Sequence, residues 1–481
     1  MKHGYLTVYL SLSLTLILSL VLTLVEGARL NTIRMESECV ADIGMNSVLA
    51  EFHRELLEQY DLLFVDISYG TAYPSVGKTA EHLRNYMQKN FTAEEKGFIS
   101  ARDWLSLSVE KSVLSEYSIA SDGNGYVMKR QVLDYMKTNT PAGMLSGLTG
   151  QVSENISLFK ELGVDTRDVE AERNNIQAQI DSIELPKVDD ENQELKEVPL
   201  DNPADKINAF RVGGVLKLVL KDFSAISREV VHTEDYISHR AMYKGTGLSS
   251  ELQMPVGLID NLLFDEYIFQ KCGRYGKDLD KSLLKYQIEY ILGGKESDIE
   301  NLEKVAKQLL AWREVANVIY ILSDEVKCAE ARALALTLTA VLQVPALIEP
   351  VKYSILFAWA YIESLCDVKS LLNGGRVPII KTAADWKTDI DSVANFTGTI
   401  PENDNGQSGQ DYGDYLRIML FLQSDDIKKM RLMDIMEMDI RKTPGNMYFR
   451  MDACFDSFSA DISISSAFGY HIDIRKRYGY D

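Results

Sequence analysis

Tyr5-Leu-Thr-Val-Tyr9-Leu-Ser-Leu-Ser-Leu14-Thr-Leu-Ile-Leu-Ser19-Leu-Val-Leu-Thr-Leu-Val25 is a run of 21 residues without a formal charge. At 1.5 Å per residue a helix of that length spans roughly 30 Å, the thickness of a bilayer's hydrocarbon core. A cleavable signal peptide has a shorter apolar region and small residues before the cut. Here a cut after Ala28 would follow Glu26 by two residues, which disfavours cleavage and points to a retained anchor. Lys2 flanks one end of the run, and Arg29 and Arg34 the other. A four-residue head suits a cytoplasmic N-terminus, with the bulk of the chain outside a cell membrane crossed once.

Working outward, no proline occurs until Pro74, so the helix is expected to continue. Ile33, Val40, Ile43, Val48, Phe52 and Leu56 recur on roughly one helical face. Read over residues 5–60, this element would be about 80 Å long, half in lipid and half along a soluble domain.

Residues 60–70 read as a strand ended by Gly70, followed by a helix over 78–90. Residues 105–120 alternate, and Ser121-Asp-Gly-Asn-Gly125 signals a hairpin turn into a second alternating run, then a helix over 131–138. Residues 181–205 hold nine acidic residues, two lysines and three prolines, the composition of a solvated linker. Strand character returns at 213–220. Helices follow over 280–292, 297–322, 326–344 and 351–372, stopped by Gly293-Gly294 and Gly374-Gly375. Two of these are very apolar but too short for further spans, and read as a buried helix pair. Residues 395–412 read as an exposed loop, 414–441 as helix, and 447–480 as antiparallel strands.

The expected fold class is α+β: a transmembrane helix continuing into a soluble helix, antiparallel strands, and a large helical region. The expected segments are 1–28 (anchor), 29–138 (helix, strand and hairpin) and 139–210 (polar acidic linker). They continue as 211–394 (mainly helical), 395–412 (loop) and 413–481 (helix and closing strands).

The formal net charge of −20 repels phosphate backbones and excludes nucleic acid as an expected partner. The cysteines Cys39, Cys272, Cys328, Cys366 and Cys454 lack CxxC spacing and disulfide-framework density. Gly77-Lys78-Thr79 has Ala72 where a phosphate-binding loop needs glycine, and Pro74 removes a backbone donor. Asp122-Gly-Asn-Gly125 lacks the later glutamate of a calcium loop. His232 and His239 lie seven apart but belong to no ligand set, and no nucleophile elbow or HExxH occurs. No catalytic, cofactor or metal residues are expected, and nothing here specifies an enzyme.

Several segments together resemble a known family. They include Gly4-Tyr-Leu-Thr-Val-Tyr-Leu, Leu63-Phe-Val-Asp-Ile-Ser-Tyr-Gly70, Leu284-Lys-Tyr-Gln-Ile-Glu-Tyr-Ile-Leu-Gly-Gly294, Arg313-Glu-Val-Ala-Asn317 and Tyr412-Gly-Asp-Tyr-Leu-Arg417. The chain resembles an uncharacterised domain-of-unknown-function family of single-span proteins from Gram-positive anaerobes, associated with tight-adherence pilus machinery. The resemblance implies a pseudopilin-like or accessory component with other pilus or secretion subunits as partners. In pilin-like proteins a basic leader ends in Gly, and a Glu five residues later pairs with a neighbour's N-terminus. Carried over, Gly4 is the processing site, Tyr5 the new first residue and Tyr9 the assembly-contact position, where tyrosine replaces glutamate. A buried Glu in lipid is costly unless paired, and Tyr9 removes both the cost and the contact. The alternatives are a membrane-tethered scaffold unrelated to pili, or an enzyme with an unrecognised site.

Overall fold

A computed structural model describes residues 2–92, 105–140, 142–163, 167–189, 195–211, 213–246, 257–401 and 408–480. In chain order it contains α1 (Lys2–Leu49), α2 (Arg54–Tyr60), β1 (Val65–Asp66), α3 (Val76–Phe91), β2 (Leu107–Ile119), α4 (Asp122–Asn139), α5 (Ala142–Glu161) and α6 (Val169–Asp181). A short hairpin, β3 (Lys187–Asp189) and β4 (Leu195–Glu197), leads to α7 (Pro203–Phe210), α8 (Val215–Val219), α9 (Leu258–Lys271) and α10 (Gln287–Gly293). Then come α11 (Asp298–Ser323), α12 (Glu325–Ala340), α13 (Ile348–Leu372), α14 (Ile390–Ala394), α15 (Tyr412–Leu422) and α16 (Asp425–Arg441). Strands β5 (Cys454–Ser466) and β6 (His471–Gly479) close the chain. The α+β class holds.

The chain divides into two compact units, both discontinuous in sequence rather than in the serial order expected. Unit 1 gathers Met1–Tyr135, Ile237–Pro255 and Met436–Asp481. Unit 2 gathers Met136–Tyr236 and Val256–Ile435.

Unit 1 is built on β5. Strand β2 pairs antiparallel along one side of it, while β1 and β6 share the other. Because β5 is central, its first seven residues are buried on both faces, and only its later half alternates. One face of α1 packs here through Ile33, Val40, Ala41, Met45 and Val48, at helical spacing. They meet Leu83, Met87 and Phe91 of α3, and Val109, Phe458, Ile462 and Ile464 of the sheet. Burying each such side chain contributes about 1.5–3 kcal/mol, so this stripe fixes α1 to the sheet.

Helix α1 does not run on to Tyr60. It ends at Leu49, and α2 restarts at Arg54, with His53 extended and its Nδ1 accepting from the Leu56 N–H at 3.3 Å. Glu51, in the break, accepts from the hydroxyls of Tyr69 (3.0 Å) and Tyr86 (2.7 Å) and lies 2.9 Å from His82 Nδ1. These tertiary bonds override local propensity, which alone would continue the helix.

Three strand expectations are also corrected. Residues 60–70 contribute only the two-residue β1. After β2 there is no hairpin: Gly123, Asn124 and Gly125 take left-handed backbone, and the chain enters helix at once. The partner of β2 is β5, more than 300 positions away. Residues 213–220 form α8, whose first free N–H groups, at Val215 and Leu216, are taken by the Glu303 carboxylate at 2.9 and 3.1 Å. Two helices are also corrected: the 280–292 helix shrinks to α10, and the 414–441 helix is broken at Gln423 and Ser424. The acidic linker carries the β3–β4 hairpin.

Unit 2 centres on α13, whose residues are buried almost throughout because α6, α7, α8, α11 and α12 surround it. Its partner α12 differs from the expectation of a buried pair. It meets α13 through small residues, Ala331, Ala335 and Thr339, and leaves Leu336 exposed. Among the described residues, α1 is the one helix long and apolar enough to cross a membrane.

Candidate functional site

Two regions could carry function: the free half of α1 with its footing on the sheet in unit 1, and a pair of clefts in unit 2.

From Gly4 to Val25, α1 touches almost nothing. Nothing lies within 4 Å of where a side chain on Gly4 would begin. Tyr5 is 79% and Tyr9 70% exposed. The three positions implied in processing and assembly therefore lie on one free, apolar helical end. Hydroxyls within it bond backward to carbonyls one turn earlier, as Thr15 does to Ser11 (2.7 Å) and Thr23 to Ser19 (2.8 Å). That is how a helix hides polar groups from an apolar solvent.

The free half ends where the β-hairpin begins. Strand β6 and the residues flanking it run beside α1. Tyr470 donates its hydroxyl to Glu26, Lys476 bonds the Asp42 carboxylate and the Glu38 carbonyl (3.2 Å), and the Tyr480 hydroxyl reaches the Leu49 carbonyl. Ten strand residues cover about 33 Å and twenty-three helical residues about 35 Å, so the two elements keep pace. Burial alone would raise the Asp42 carboxyl, but bonds from Lys476 and Tyr478 outweigh it and hold the group below its usual range. The Tyr470 phenol is held above its ordinary range, first by its bond to Glu26. Arg29 completes the junction, bonded to Glu26 at 2.8 Å with its guanidinium 4.2 Å from the centre of the Phe468 ring. Phe468 and Tyr470 were not singled out from sequence. The available signal was an aromatic pair around Gly469, between two alternating runs.

In unit 2, one cleft of about 520 Å³ is lined by Leu216, Phe223 and Ile299 with Lys217, Lys295 and Lys304. A neighbouring cleft of about 940 Å³ contains Arg211, bonded to both oxygens of Glu314 at 2.9 and 2.6 Å and stacked 3.8 Å from the Tyr361 ring centre. Neither lining includes a serine, cysteine or histidine. Among the described residues, no group of three or more His, Cys, Asp or Glu could hold a metal.

The other motif residues serve the fold. Lys78 donates to the Ser68 carbonyl and the Thr71 hydroxyl, and Thr79 is buried beneath Tyr69. Asp122 accepts from the N–H groups of Ile119 and Gly245, both at 3.0 Å. His232 and His239 are exposed and share no helix.

A model of a family of unknown function (DUF5702) matches residues 193–466, more than half of the chain. No curated protein and no solved structure gives a match.

Proposed function

The chain belongs to the DUF5702 family of unknown function, and we propose that it is a non-enzymatic, single-pass membrane protein, an accessory or pseudopilin-like component of a pilus or secretion assembly. The observation that supports this most is the division of α1. Its first half is apolar and free of protein contact, while its second half packs along an antiparallel sheet. A helix so divided presents one end to lipid, or to equivalent helices, and carries a folded head on the other. The bulk of the chain then lies outside the cell.

Tyr9 in place of a glutamate leaves the helical end without a charge to exchange with a neighbour. That favours an accessory subunit over a filament-forming one. It is also the observation that favours the second reading, a tethered scaffold unrelated to pili.

The test places a photo-crosslinking benzoyl-phenylalanine at Tyr9 in cells. Capture of the apolar N-terminal helix of another assembly subunit is the expected result. Capture of lipid alone would leave the tether and remove the assembly role. Mass spectrometry of the mature N-terminus reads processing directly: a start at Tyr5 marks pilin-like processing, an intact Met1 an unprocessed anchor, and a start after Ala28 would remove the anchor.

A further inference from the structure

We propose that the turn between β5 and β6 is a membrane-contacting foot, with Phe468 seated in the phospholipid headgroup layer. This rests on reading α1 as a bilayer anchor.

The turn is well defined. The Gly469 N–H donates to the Ser466 carbonyl at 2.9 Å, and the Ser466 N–H to the Tyr470 carbonyl at 2.9 Å. Gly469 is left-handed at φ +79°, so the loop is a tight turn closed by a glycine bulge. The Phe468 N–H is held by the Ser466 hydroxyl at 3.2 Å, and that hydroxyl in turn donates to the Leu105 carbonyl at 3.0 Å. Phe468 is thus presented at the apex by a fixed backbone, and the residue is 44% exposed.

Its height follows from α1. The uncharged run ends at Val25, and Arg29 stands four residues further, about 6 Å along the axis. The headgroup layer is about 5–7 Å thick on each side of the hydrocarbon core. Helical side chains lean toward the N-terminus, here toward the core, so the Arg29 guanidinium sits below its own Cα. The Phe468 ring centre is 4.2 Å from that guanidinium and so shares its level, where aromatic side chains collect in membrane proteins. The Glu26 carboxylate would repel lipid phosphates, but Arg29 and Tyr470 occupy it. The Glu26–Arg29 pair is neutral as a whole.

The test uses the full chain in liposomes whose lipids are brominated just below the headgroup. Phe468→Trp is compared with the parent chain and with Val113→Trp, exposed on β2. Val113 pairs with Asp461, five residues from Ser466 and about 16 Å higher. The emission added at position 468 is expected to shift to shorter wavelength and be mostly lost to quenching, while that at 113 is untouched. If the chain floats with the liposomes but position 468 is not quenched, the foot is refuted and the anchor stands. Equal quenching at both positions also refutes the foot, since the sheet face would then be the contact. A chain that does not float removes the anchor itself, and the foot with it.

Discussion

The guanidinium of Arg313 meets the carboxylate of Asp367 at 3.0 Å in the centre of unit 2, where each side chain is 2% exposed. The other carboxylate oxygen of Asp367 takes Lys381 at 2.6 Å, and Lys381 also bonds Glu363. Arg313 further donates to the carbonyls of Pro378 and Ile379, at 2.9 and 3.1 Å. Two cations face two carboxylates in a site closed to water, so the group is neutral as a whole and intolerant of losing one member. Arg313→Met is expected to cost about 3–5 kcal/mol, because it strands a buried charge. Denaturant unfolding checks this; a loss under about 1 kcal/mol would mean that water reaches the site.

Glu289 sets a pH dependence. Burial pushes its carboxyl up to about 7, against hydrogen bonds from the Tyr412 hydroxyl (2.6 Å) and the Tyr275 N–H (3.0 Å). Its folded value lies above the unfolded one, so the folded chain keeps a proton that the unfolded chain releases between pH 4.5 and about 7. Stability must therefore fall as pH rises through that window, by up to about 3 kcal/mol from this group. Glu289→Gln keeps both bonds and removes the proton, so its unfolding midpoint should be flatter across the window and higher than the parent's at its upper end. An unchanged slope would assign the pH dependence to another group.

Gly44 sits where α1 crosses α3. A Cβ there would stand 2.7 Å from Met87 Cγ and 3.0 Å from Leu83 Cδ1. Gly44→Val should overpack this crossing and lower stability by about 1–3 kcal/mol. Membrane fractionation should not change, because the free half of α1 is unaffected. Thermal unfolding alongside fractionation separates the two effects.

The thiols report orientation. Cys39 is exposed on α1, while Cys272, Cys366 and Cys454 are buried, and burial pushes the Cys366 and Cys454 thiols well above their usual range. A membrane-impermeant maleimide should label Cys39 first, and in intact cells only if the soluble part lies outside. Lack of labelling in intact cells but labelling after lysis would reverse the proposed orientation.

Legibility from sequence tracked the range of the interactions. The free half of α1, helices α3, α11 and α13, and the β5–β6 hairpin are local, and their periodicity was plain. The break at Ala50–His53 was not legible because Glu51 is held by Tyr69, His82 and Tyr86, which lie 18 or more residues away. Val215–Val219 is too short for a period of two to be told from one of 3.6, and Glu303 decides it. At the candidate site, Gly4, Tyr5 and Tyr9 could be placed on an exposed helix from sequence alone. The junction of Glu26 with Tyr470 could not, since it joins positions 444 apart.

The order of strands in unit 1 bears on how the protein is made. Strand β5 is the partner of β1, β2 and β6, yet it is among the last segments to leave the ribosome. Ile119 must wait 336 residues for Phe455, roughly 17 to 67 s at ordinary synthesis rates. Throughout that interval α1 is already emerged, while its stripe from Ile33 to Val48 has no sheet to cover it. The sheet of unit 1 is therefore completed only after α1 and β2 have long been made, and on the proposed reading of α1 a chaperone that shields the nascent β2 edge would act at the membrane surface.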